Sequence, residues 1–154
     1  MASAADYEAD IPTLRRILAE SRTIAVVGLS QNWHRPSNFA AKYLQHHGYR
    51  IIPVNPLAAG KTILGEPCYA TLMEAAAAIA AQGGEIDIVN VFRRSEDIPP
   101  VLEQVLAIKD QVKLKVLWLQ QGISHAASEQ AASAAGLEVV SDACIKTEHC
   151  SANL

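Results

Sequence analysis

Four cations stand beside or just beyond apolar runs in the sequence: Arg35, Lys42, Lys61 and Arg93. Such groups pair with phosphate, arginine through a planar fork of donors and lysine as a point charge. Plain surface solvation is the competing reading for each. Arg35 and Arg93, set past the ends of strand-like runs, carry the phosphate reading further than Lys42 and Lys61. Near Arg35 lie Gly28, Ser30 and Asn32, followed by Pro36 and Ser37, the last a candidate helix cap. Ser30 fits either a pyrophosphate contact or a turn-forming serine.

Other reactive side chains are scattered. His46 and His47 fall at a predicted helix end and read as surface residues, and His125 falls at a helix start. His34 lies beside the glycine turn, where it adds charge only at lower pH; a solvent-exposed turn residue is the simpler reading. His149 with Glu148, Cys144 and Cys150 forms a mixed group that lacks the paired C-x-x-C of a zinc site, so no metal centre is expected. Trp118 reads as core, whereas Trp33 is divided between surface and a cover over a ligand.

The elements that must position these groups alternate. Residues 24–27 form a β-branched apolar run ended by Gly28, and a helix is predicted from Ser37 to about His47. A second strand spans 49–54 and ends in the turn Asn55-Pro56; a long loop with Lys61 leads to an alanine-rich helix over 71–82. A third strand covers 86–92, with Asp87 at its start and Arg93-Arg94 past its end. Ser95 or Asp97 caps the next helix, whose buried stripe is Val101, Leu102, Val105 and Ile108. Strand 114–119 ends in Gln120-Gln121-Gly122. Ser124 opens a helix that packs through Ala127, Ala131 and Ala134, and strand 137–140 is the last. The tail SDACIKTEHCSANL reads as polar, anchored by Cys144 and Ile145. Ahead of all this, residues 11–19 give an amphipathic helix lying over the sheet.

Alternating strands and helices imply an α/β fold: a Rossmann-like, doubly wound parallel sheet in three layers. The 154 residues suit one domain, 1–154, and ligands of such sheets lie beyond the carboxyl ends of the strands. The segments after the strands therefore converge on one crevice. A formal net charge of -3 argues against general nucleic-acid binding, and the acidic N-terminus lacks the apolar core of a signal or membrane anchor. Three scattered cysteines fit reduced thiols, so a cytoplasmic location is expected.

A dinucleotide fingerprint is absent. Ser30 occupies the place of the second glycine, and Asn55 ends the second strand where an acidic residue would meet a ribose. The G-x-x-x-x-G-K-[ST] pattern of nucleotide-hydrolysing loops is missing as well.

Five ordered motifs instead carry a resemblance. IAVVGLSQN with RPS, YRIIPVNP with GKTILGE, IDIVNVFRRSEDIP, VLWLQQGI and DACIKTEH are similar to the small stand-alone coenzyme A-binding proteins. That family shares its fold with the coenzyme A-binding domain of the succinyl-CoA synthetase α subunit. The resemblance, over about 23–149, implies coenzyme A or an acyl-CoA as ligand, with Gly28, Leu29 and Ser30 at the pyrophosphate and Arg35 and Lys42 as phosphate partners. Asn55 and Pro56 would border the adenosine, and Phe92, Arg93, Gln120 and Gly122 would line the other wall. Coenzyme A, with three phosphates, also suits the clustered cations better than NAD.

The expectation is a non-catalytic binding protein, because the histidine-bearing domain of the synthetases has no counterpart here. A buried, apolar role for Cys144 competes with a mixed disulfide to the ligand thiol. The alternatives are an NADP-dependent oxidoreductase and a nucleotide-binding subunit of a larger acyl-CoA synthetase-like complex. A homodimer or a partner enzyme is compatible with either; nucleic acid and membrane are not expected partners.

Overall fold

The computed structural model describes the backbone of residues 4–154 and the side chains of residues 11–154. Helix α1, Ala4–Glu20, leads into strand β1, Thr23–Val27, and helix α2, Pro36–His46, returns the chain to β2, Arg50–Val54. After a short ribbon of β3, Thr62–Ile63, and β4, Glu66–Pro67, come α3, Leu72–Ala81, and β5, Ile88–Val91. Helix α4, Ile98–Ile108, strand β6, Val116–Leu119, helix α5, Ala126–Ala134, strand β7, Glu138–Val140, and helix α6, Ile145–Ala152, complete the chain.

The five long strands form a parallel sheet in the order β2-β1-β5-β6-β7. Its apolar runs are continuous because both faces are covered. In β1, Ala25 and Val27 join Leu72, Val105 and Ala132 on one side, while Ile24 and Val26 join Leu18, Leu44 and Ile145 on the other. Helices α3, α4 and α5 thus close one face and α1, α2 and α6 the opposite one. The Rossmann-like α/β expectation holds, and the order reverses between β1 and β5, which opens a crevice at their carboxyl ends.

Boundaries differ where local chemistry overrides pattern. Arg35, not Ser37, occupies the N-cap of α2; Ser37 lies inside the first turn, where its hydroxyl oxygen accepts the Ser30 N–H at 3.0 Å. Asp97 precedes α4 without capping it, since its carboxylate takes the Arg94 guanidinium at 3.2 Å. Ser95 accepts the Ser124 N–H at 3.1 Å, and the cap of α5 is His125, whose Nδ1 accepts the Ser128 N–H at 3.2 Å. Ser128 and Ala132, rather than Ala127 and Ala134, form the buried stripe of α5. The long loop after β2 contains the β3–β4 ribbon, whose two-residue strands are too short for any periodicity.

The largest correction is the tail. It forms a helix, α6, that buries Ile145, His149 and Ala152 at helical spacing. His149 is 4% exposed, with Nδ1 2.9 Å from the Tyr43 hydroxyl and its ring 5.0 Å from that of His47. Burial, aided by His47, lowers its pKa and keeps it neutral near pH 7. Among the described residues no cluster of three metal-ligating side chains occurs, and His149 serves packing. Among them, too, no helix is long and apolar enough to cross a membrane.

Candidate functional site

Gly28 ends β1 with φ +87°, a conformation that side chains oppose. A second constraint acts there, because a Cβ at this position would collide with the carbonyl oxygen of Phe92 and press on Cδ of Arg93. Only a glycine lets the ends of β1 and β5 close to this distance. The Arg93 stem is thereby brought beside the turn.

The loop after Gly28 is held by its own polar groups. The Gly28 N–H donates to Val54 O at 2.8 Å, and the Ser30 hydroxyl oxygen accepts the Asn32 N–H at 3.1 Å. The Asn38 side chain donates to Ser30 O at 2.9 Å, and Asn55 Nδ2 donates to Leu29 O at 3.0 Å while its Oδ1 accepts the Leu57 N–H at 3.0 Å. Ser30 and Asn55 are therefore turn formers as well as wall residues. Several amides of the turn are satisfied internally, but α2 has neither a side-chain cap nor an acidic residue in its first turn. Its positive end faces the crevice beside Arg35.

That crevice has a volume of about 1030 Å³, the upper end of the range for small-molecule sites. Of the expected residues, Gly28, Ser30, Arg35, Asn55, Phe92, Arg93 and Gln120 line it. The others do not. Leu29 is wholly buried in the core, its carbonyl accepting Asn55 Nδ2, and Pro56 and Gly122 are not lining residues while their neighbours Leu57, Ala58, Gln121 and Ile123 are. Lys42 projects to solvent from α2 and Lys61 from the β3–β4 side, both away from the lining. Trp33 is 73% exposed and is not a lining residue either.

Electrostatically the crevice is unbalanced. Arg94 is taken up by Glu96 at 3.0 Å and Asp97 at 3.2 Å. Arg35 and Arg93 have no carboxylate within ion-pair distance among the described residues, so two guanidinium groups from opposite loops are available to an anion. The floor is polar: Gln120 Oε1 accepts both Asn90 Nδ2 and the Ile145 N–H at 3.3 Å. Asn90 is fully buried, and its Oδ1 is the one buried side-chain oxygen without a partner among the described residues.

Cys144 also lines the crevice, correcting its reading as a buried apolar anchor; Ile145 alone fills that role. The sequence signal for it was weak, since the helix it precedes has only one large apolar residue facing the core. Burial pushes the thiol up, but contacts from the Thr147 hydroxyl and N–H, the Gln120 amide and the Lys146 N–H outweigh it and leave the pKa below the ordinary thiol value. Cys68 shows the opposite, buried and pushed up by desolvation.

Among known proteins, YneT of Bacillus subtilis (strain 168) is 40% identical over 136 residues, covering 88% of this chain and 91% of that protein. The structure of cell-free ID.343 from Thermus thermophilus superposes with a TM-score of 0.81 at 34% identity, covering 92% of this chain and 98% of the other. A hypothetical protein from Pyrococcus horikoshii OT3 gives a TM-score of 0.77 at 28% identity, with 94% and 92% covered. The family model for the CoA binding domain spans residues 22–150, so it includes every strand of the sheet and the whole crevice wall. The chain belongs to the CoA binding domain family.

Proposed function

We propose that this chain binds coenzyme A or an acyl-CoA over the carboxyl ends of its strands and performs no chemistry on the acyl group. The observation that carries the reading is the pair Arg35 and Arg93, without acidic partners among the described residues and set on opposite sides of the Gly28 turn. A pyrophosphate between them would meet two planar donors and the uncapped end of α2, while the 3′-phosphate adds charge that NAD lacks. Among the described residues, the crevice lining contains no histidine and no lysine, and Asp97 is engaged by Arg94. A general base next to a nucleophile is thus not among the lining groups, which supports a binding rather than a catalytic role. The reduced thiols suit a cytoplasmic setting.

The NADP reading rests on the same arginines, but Asn55 at the end of β2 spends its side chain on loop contacts, not on a ribose. The subunit reading differs in its partner, and co-purification of a stoichiometric second chain would favour it. Isothermal titration of ligand-stripped protein with coenzyme A, NADP and NAD at one fixed salt concentration tests the ligand. Micromolar or tighter binding of coenzyme A alone is expected; preference for NADP would overturn the reading.

A further inference from the structure

Gln120 follows β6 directly, lines the crevice and is only 8% exposed. The orientation of its amide follows from its neighbours. Trp118 O can only accept, so the Asn90 atom 3.3 Å from it is Nδ2, a donor. Gln120 receives that same donor at 3.3 Å and the Ile145 N–H at 3.3 Å, which fixes the receiving atom as Oε1. Nε2, with its two N–H groups, therefore turns to the crevice side. Among the described residues its one contact there is the Cys144 sulfur, a weak acceptor. A side chain more than nine-tenths buried thus keeps an N–H donor for a group that is not part of the chain.

We infer that the Gln120 amide is the donor that reads a carbonyl oxygen in the arm of the ligand, and so sets the preference of the crevice for an arm-bearing coenzyme over its nucleotide fragment. The inference rests on the reading of the crevice as a coenzyme A site. The acceptor is a neutral one. Arg35 and Arg93 stand on the loops after β1 and β5 and attract the phosphates, whereas the lining on the β6 side, Gln120, Gln121, Ile123 and Cys144, carries no cation. An uncharged donor set deep in a wall holds a carbonyl without stripping water from a full charge.

Reach selects which carbonyl. β6 is the second strand along from β1, so Gln120 lies about two strand spacings, roughly 10 Å, from the Gly28 turn. Pantetheine carries two amide carbonyls between its phosphate end and its sulfur, and an extended arm brings an amide to that reach before the sulfur arrives. Asn90 is then a positioning residue. Wholly buried in β5, it holds Gln120 Oε1 away from the ligand, and without it the amide is freer to rotate and set oxygen against oxygen. Acyl groups lie past this contact, so free coenzyme A and its short thioesters are held alike.

The test is calorimetric titration of ligand-stripped protein with coenzyme A, acetyl-CoA and 3′-phospho-ADP at one salt concentration, with unfolding midpoints to show that each variant is folded. Wild type should bind coenzyme A more tightly than the fragment. Gln120→Met removes the donor without adding charge, and Gln120→Glu removes it while keeping an oxygen for Asn90 and Ile145. In both, the ratio of the fragment's Kd to that of coenzyme A should fall about tenfold, with acetyl-CoA following coenzyme A. The charge of the glutamate acts on the phosphates of both ligands and so leaves the ratio. Asn90→Ala, with Gln120 intact, should lower the same ratio by a smaller factor, a loss that a merely structural role would not confine to the arm. An unchanged ratio, equal weakening of fragment and coenzyme A in Gln120→Met, or a loss confined to acetyl-CoA would overturn the inference. So would a wild type that holds the fragment as tightly as coenzyme A. A wild type that binds neither removes the ligand reading itself, whereas coenzyme A binding with an unchanged ratio removes only the role of Gln120.

Discussion

The two ends of the sheet are built on opposite principles. At the amino ends of the strands, Asp87 accepts the N–H groups of Arg22 and Thr23 at 2.8 and 2.9 Å and lies 3.6 Å from Lys115 Nζ. Arg50 is likewise held by Glu66 at 2.8 Å and Gln82 at 2.9 Å. At the carboxyl ends, among the described residues, Arg35 and Arg93 lack acidic partners, α2 lacks a side-chain cap and Asn90 Oδ1 lacks a donor. The charged groups at the amino end satisfy each other, which stabilises the fold; at the carboxyl end two guanidinium groups stay available to an anion. What separates Arg35 and Arg93 from Arg94, which Glu96 and Asp97 hold at the same end, is the lack of a carboxylate partner among the described residues.

The sharpest way to break this contrast is Gly28→Ala. Backbone strain and collision with Phe92 O together should cost about 2–5 kcal/mol, read from the shift in urea unfolding midpoint. Gly48→Ala is the control: its φ of +93° is similar, but nothing lies within 4 Å of the added Cβ, so strain alone, about 1–2 kcal/mol, is expected. Equal losses at both positions would mean that the closeness of β1 and β5 is unimportant.

Next in size are the arginines. Arg35→Ala and Arg93→Ala should each weaken coenzyme A by about 1.5–3 kcal/mol in calorimetric titration, with unfolding free energy altered by no more than about 0.5 kcal/mol. Asp87→Ala should do the reverse, lowering stability by about 1–3 kcal/mol through two orphaned N–H groups while coenzyme A affinity stays as it is. An Asp87 variant that lost affinity without losing stability would erase the distinction between the ends.

Much of this contrast was legible before any coordinates. Strands covered on both faces leave unbroken β-branched runs, and the glycine turn, Asn55 and the arginine after the third strand follow from where those runs stop. What escaped has particular causes. Helix α6 buries one large aliphatic residue, with His149 and Ala152 completing its stripe, and a buried histidine is indistinguishable from a polar one in a hydropathy pattern. Cys144, just ahead of that helix, was weighed both as an apolar anchor and as a thiol beside the ligand, and its place in the lining follows from where α6 begins. Lys42 was expected at the phosphates as a cation on the first helix and through the family resemblance, but the turn of α2 carries it to the solvent face. Leu57 is 86% exposed yet lines the crevice, and no periodicity marks a residue in a single 3-10 turn, Pro56–Ala58.

The hydrogen bonds that Ser37, Asn38 and Asn55 make to the loop after Gly28 join groups of the chain itself. The conformational entropy of that loop is therefore lost when the chain folds and not when an anion arrives. Association then resembles docking onto a rigid mould, with the ordering confined to the arginine side chains and to the ligand's own flexible arm. Differences in affinity among acyl derivatives would accordingly appear in how fast they leave, because a preformed site receives them all at similar rates.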